Sequence, residues 1–131
     1  MINTILIRNA KIVNEGVIFE GDVLIEGNII VEIASQISAK SSVTKIIDAE
    51  GNYLIPGIID DQVHFREPGL THKGDIASES FAGLAGGVTS YFEMPNVNPA
   101  TTTIENLNKK FELASQRSLS NYSFHLGATN S

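Results

Sequence analysis

After Pro56-Gly57 the chain changes rhythm, and this change constrains its fold more than any other feature of the sequence. Downstream, segments alternate in the order strand, helix, strand, helix, strand. "GIIDDQVH" is extended. Asp75 to Leu84 reads as a helix opened by Asp75 and closed by Gly86-Gly87. "VTSYFEM" is the next strand. Thr102 and Glu105 fit a capping box, and Ile104, Leu107, Phe111 and Ala114 recur at helical spacing, which would lay one apolar face against a sheet. "NYSFHLGAT" follows as a third strand. Alternating units of this length predict an α/β fold, with a parallel sheet and right-handed crossovers. Parallel sheets are normally covered on both faces, so three strands with an unpaired edge are expected to open a larger α/β structure, as in a truncated chain.

Upstream, residues 1–55 form a different region, punctuated by turns at Asn14–Gly16, Glu20-Gly21, Glu26–Asn28 and Glu50–Asn52. Between them lie the β-branched runs "TILIRN", "KIV", "VIF", "DVLIEG", "IIVEIA" and "TKIIDA", which suit short antiparallel strands. Gly27-Asn28 reads as a hairpin turn. Residues 35–43 read as a polar loop.

Composition narrows the possible partners. The 131 residues are 42% apolar, enough for a packed core. A net charge of −6, with nine basic residues scattered apart from Lys109-Lys110, leaves no footprint for nucleic acid or an anionic membrane. The start of the chain has no basic region followed by a long apolar core, and the expected location is cytoplasmic. The sequence contains no cysteine, so any metal must take nitrogen and oxygen ligands.

The run "DDQVHFREPG" closes the first strand of the second region, after a stretch, "YLIPGIID", that reads as buried. Successive side chains on a strand alternate faces, so Asp60, Gln62 and His64 should project together, with Arg66 following if extension continues. Asp61, Val63 and Phe65 should face the other way. Polar groups then collect at the strand's C-terminal end, which is where a β/α barrel carries its active site.

Two motifs, "PGIIDDQVHFREPG" and then "GGVTSYFEMPNVNPATT", stand in the order and at the separation found in dihydroorotases. The chain resembles the amino-terminal part of that family, in the cyclic amidohydrolase branch of the amidohydrolase superfamily. The resemblance implies a small β-sandwich-type segment over residues 1–55. Over residues 56–131 it implies the first three strands and two helices of a TIM (β/α)8 barrel. A complete barrel takes about 250 residues.

The resemblance also implies a zinc centre of one or two ions, reached by two histidines at i and i+2 on the first barrel strand. The second of these corresponds to His64. Gln62 stands where the family has the first, and a neutral amide oxygen is a poor zinc ligand. Arg66 and Asn96 are implied to bind the carboxylate of dihydroorotate. A guanidinium fork suits a carboxylate, and an amide NH₂ can add a donor. A salt bridge of Arg66 with Glu67 and a turn role for Asn96 before Pro99 are the plainer readings. Asp60 could orient a ligand from behind or simply be solvated. The general acid/base and the remaining ligands are expected beyond Ser131.

The remaining polar residues have blander readings. Pro68-Gly69 and Pro95 shape the rim, His72 and Lys73 lie in a polar connection, and His125 reads as a structural histidine. "GLAGG" follows a helix instead of opening one, so no nucleotide site is indicated.

The expected function is reversible hydrolysis of the cyclic amide of L-dihydroorotate to N-carbamoyl-L-aspartate in pyrimidine biosynthesis, with little activity from this chain alone. Two alternatives stay open. One is a hydantoinase, dihydropyrimidinase or allantoinase, whose substrates lack the ring carboxylate. The other is an inactive dihydroorotase-like scaffold for aspartate carbamoyltransferase, kept open by Gln62. A homo-oligomer is compatible with either enzymatic reading.

Overall fold

Asn9 sits in the middle of the longest strand with a positive φ of 56°, and the first sheet is organised around it. The computed structural model describes residues 3–39 and 42–129, and the chain divides into two compact units, Met1–Pro56 and Gly57–Ser131. In the first unit, β1 (Thr4–Asn14) pairs antiparallel with β2 (Val17–Glu26), and β2 with β3 (Ile29–Ala34). On its other side β1 pairs with β4 (Lys45–Asp48) and then with β5 (Tyr53–Leu54), both parallel to it.

The sheet is therefore mixed where the sequence predicted antiparallel strands, and six short runs are merged into fewer, longer strands. Asn9 reads as a strand end but is a bulge, breaking the β1–β2 register between Ile7 and Ala10. Its amide donates to Asp22 Oδ1 at 3.0 Å and its side chain to Asp48 Oδ1 at 2.9 Å. These bonds let one strand continue through a left-handed residue. Asn9 and the Glu50 amide together hold the Asp48 carboxyl below its usual range.

The expected hairpin at Gly27-Asn28 is present, with Gly27 at φ 59°. The β1–β2 turn uses Glu15 and Gly16, both at positive φ, as a two-residue turn of mirror-image type requires. Leu6, Leu24 and Ile37 cluster together, as do Ala10, Ile12 and Val23. Ile37 lies in the segment read as a polar loop, yet it is buried and its amide donates to Asp22 Oδ2 at 2.8 Å. Residues 40 and 41 of that segment lie outside the described residues.

The second unit holds three parallel strands in the order β6 (Ile58–Val63), β7 (Val88–Glu93), β8 (Asn121–Phe124). The connections are α1 (Ile76–Ala85) and α2 (Ile104–Arg117). Asp75 caps α1 by accepting from the Ser78 amide at 2.9 Å. The cap of α2 is Thr103 rather than Thr102; its hydroxyl accepts from the Asn106 amide at 3.2 Å. Thr101-Thr102-Thr103 is a run of equivalent capping side chains, and composition cannot choose among them.

The apolar stripe of α2 is also turned from its expected position. Ala114 is buried, but Ile104 remains 62% exposed, and Lys110 is the other fully buried residue of the helix. Ile58 and Ile59, read as buried, are 46% and 64% exposed on β6, an edge of the described sheet. The core consists of Phe65, Ile76, Tyr91, Ala114 and Phe124. Full burial of a large apolar side chain contributes about 1.5–3 kcal/mol. Among the described residues no helix is long and apolar enough to cross a membrane.

Candidate functional site

Strict alternation along β6 breaks down just where the polar residues begin. The β6–β7 register shifts between Asp60 and Val63, so faces cannot be assigned by counting in twos. Asp60 Oδ1 accepts from the Gln62 amide at 3.1 Å, which turns that carboxylate back along its own strand. Asp61 and Gln62, adjacent in sequence, line one open hollow of about 420 Å³ with Met94, Pro95, His125 and Leu126. Val63 and Phe65 turn towards the core.

His64 follows the end of β6, and Asn96 lies in the loop after β7. His64 Nδ1 stands 2.9 Å from Asn96 Oδ1. With a carbonyl oxygen facing it, Nδ1 is the protonated nitrogen and Nε2 keeps its lone pair. The Asn96 amino group is then left as a donor. The structure thus brings His64 and Asn96 together, and Asn96, not Asp60, meets the imidazole.

Arg66 adopts φ 72°, so extension does not continue to it. Its amide donates to Glu93 Oε1 at 3.0 Å. Among the described residues its guanidinium makes no ion pair, and the Glu67 bridge does not form. Glu67 is engaged elsewhere: Oε2 accepts from the Ile76 amide at 2.9 Å, while Oε1 pairs with Arg117. The loops after β6 and β7 are fastened to each other. The Asn98 amide donates to the Pro68 carbonyl at 3.1 Å, and Gly69 (φ 79°) lies so close that a Cβ would come 2.0 Å from the Asn98 carbonyl oxygen.

His125 reaches back from β8, its Nε2 at 3.0 Å from the Asp61 carbonyl and its ring 6.0 Å from Phe92. With Nε2 donating to that carbonyl, the imidazole links the ends of two strands.

Beneath these loops lies a buried ion pair that the sequence reading missed. Lys110 Nζ is 2.8 Å from Glu93 Oε2, with both side chains at most 1% exposed. Lys110 also donates to the Met94 carbonyl at 3.2 Å and sits 4.7 Å from the Phe124 ring centre. Burial pushes Glu93 above the usual carboxylate range, against the opposing pull of Lys110, and pushes Lys110 below the usual ammonium range. One signal was available in the sequence. Lys110 falls three residues after Leu107 and four before Ala114, inside the apolar stripe.

A tetrahedral zinc site needs at least three protein donors. Among the described residues no group of three or more His, Asp or Glu is placed to hold a metal. Among the described residues, His64 and His125 each have one ring nitrogen held by a carbonyl oxygen, which leaves His64 Nε2 and His125 Nδ1 with the anchored geometry of a ligand. The residues present do not by themselves fit the ion.

No family model matches the chain. It is 52% identical over 96 residues to a dihydroorotase of Carboxydothermus hydrogenoformans, a match covering 72% of this chain and 22% of the relative. It is 40% identical over 120 residues to a dihydroorotase of Streptococcus pyogenes, covering 90% of this chain and 28% of the relative. Among solved structures, an L-hydantoinase (dihydropyrimidinase) from Arthrobacter aurescens superposes with a TM-score of 0.91 at 27% identity, covering 99% of this chain and 29% of that one. The chain spans between 22% and 28% of the length of the curated relatives it matches.

Proposed function

Since this chain belongs to the dihydroorotase family of cyclic amidohydrolases, we propose that it carries the carboxylate-binding part of a dihydroorotase site. The reaction is reversible hydrolysis of the cyclic amide of L-dihydroorotate to N-carbamoyl-L-aspartate, a step of pyrimidine biosynthesis in the cytoplasm. Strands β6, β7 and β8 are read as the first three of a (β/α)8 barrel, whose C-terminal strand ends carry the site.

The observation that supports this reading most is the arrangement after β6 and β7: Asn96 bonded to His64, with the Arg66 guanidinium free of any carboxylate of the described chain. Arg66 and the Asn96 NH₂ supply donors for a ring carboxylate. Zinc, as one or two ions, is the cofactor the resemblance implies. His64 Nε2 is the nitrogen this chain would offer it, and Gln62 could add only a neutral oxygen.

The likeness to an L-hydantoinase favours a second reading, a cyclic amidohydrolase acting on uncharged rings. Calorimetry with L-dihydroorotate and with dihydrouracil, on wild type and Arg66→Ala, separates the two. The proposed function expects dihydroorotate to be preferred, and the preference to vanish in the variant. Equal affinity for both rings in wild type would favour the hydantoinase reading.

A further inference from the structure

Glu93 and Lys110 are charged, buried and so far without a part in the proposed site, yet Glu93 holds the Arg66 amide and Lys110 holds Glu93. Enclosing two charges costs several kcal/mol per ion, which their attraction does not reliably recover. Apolar side chains of similar size often fill such a space as well or better. The Glu93 carboxylate faces two ways: Oε1 takes the Arg66 amide, while Oε2 faces Lys110. Lys110 is in turn fixed by the Met94 carbonyl and by the Phe124 ring. Met94 follows Glu93 and precedes Pro95-Asn96, so one ammonium steadies the roots of both loops. Arg66 itself is a non-glycine residue in the left-handed region, a conformation that lasts only where its surroundings impose it.

We propose that Glu93, held by Lys110, is a positioning residue for Arg66: it fixes the left-handed backbone from which the guanidinium is presented to a ligand carboxylate. This rests on the proposed carboxylate-binding role of Arg66. Glu93 touches no ligand and acts through the backbone amides of Arg66 and its neighbour Phe65.

The test compares two double variants of this chain. E93L/K110M replaces the ion pair with apolar side chains of similar size and removes the acceptor. E93Q/K110M also removes the charges but keeps a side-chain oxygen for the Arg66 amide. A neutral replacement of both partners avoids leaving one buried charge alone. Amide hydrogen exchange at Arg66 is read against the Ile76 amide, which bonds to Glu67. Exchange at Arg66 is expected to accelerate by about tenfold or more in E93L/K110M, and to stay near the wild-type rate in E93Q/K110M, with Ile76 unchanged in both.

Calorimetry with L-dihydroorotate should show about tenfold weaker binding in E93L/K110M, with E93Q/K110M restoring it and the affinity for dihydrouracil unmoved. Arg66 exchange that is the same in both variants and wild type would overturn the proposal. Equal losses for the two rings would also overturn it, because they would mark a general structural role. If wild type binds no dihydroorotate, the functional reading fails, while the exchange comparison still decides whether Glu93 fixes Arg66.

Discussion

His64 Nδ1 and Asn96 Oδ1 stand 2.9 Å apart, joining the ends of two parallel strands across 32 residues of sequence. The contact fixes which imidazole nitrogen carries the proton. In ¹⁵N-resolved spectra at a pH where the ring is neutral, His64 should appear as the Nδ1–H form. Asn96→Leu should give a mixture of both tautomers. A wild-type ring protonated on Nε2 would contradict the arrangement.

Gly69 is the point where the two loops meet. Any side chain there must displace the Asn98 backbone and also adopt φ 79°. Gly69→Ala should therefore cost more than about 1 kcal/mol, measured as a lowered denaturation midpoint. A neutral effect would mean that the loops are not fastened there.

Tyr91 links β7 to the end of α2, its hydroxyl bonded to Ser118 Oγ at 3.1 Å. Burial pushes its pKa up to about 12, from an ordinary value of 10.0. The native state thus keeps the proton that the unfolded chain releases. The resulting stability is intact below pH 10.0 and is lost as pH rises through about 12. Urea midpoints should fall across that interval, and Tyr91→Phe should flatten the fall while costing about 0.5–1.5 kcal/mol at neutral pH for the lost hydrogen bond. Parallel pH curves for wild type and variant would count against this.

Thr103 provides the side-chain oxygen at the start of α2. Thr103→Ala should lower stability by about 1 kcal/mol, and Thr102→Ala by clearly less. Chemical denaturation of the two variants side by side decides which threonine is the cap.

The sequence showed its organisation where local chemistry has one solution. Gly27-Asn28 makes a hairpin because glycine admits positive φ, and Asp75 opens α1 because its carboxylate reaches the Ser78 amide. It was less informative where long-range pairing decides. β4 and β5 run parallel to β1, and nothing local to "TKIIDA" distinguishes that from an antiparallel partner. Alternation placed Asp60, Gln62 and His64 on one face, but a register shift intervenes, and such shifts leave no mark in composition. The contact between His64 and Asn96 joins two residues that the motifs had singled out. The Glu93–Lys110 pair was not legible, because a glutamate and a lysine 17 residues apart pair only once β7 and α2 are packed.

Glu67 touches the first turn of α1 and the last turn of α2 at once, through the Ile76 amide and the Arg117 guanidinium. The residue after Arg66 is therefore anchored to both helices, while Arg66 itself hangs by its amide from β7. In the carboxylate-binding role proposed for it, only the arginine's own side-chain torsions would remain to be frozen when an anion arrives, a loss of about 0.5–1.5 kcal/mol. The hinge of this arm is set when the protein folds, and capture of a ligand has only to still the hand.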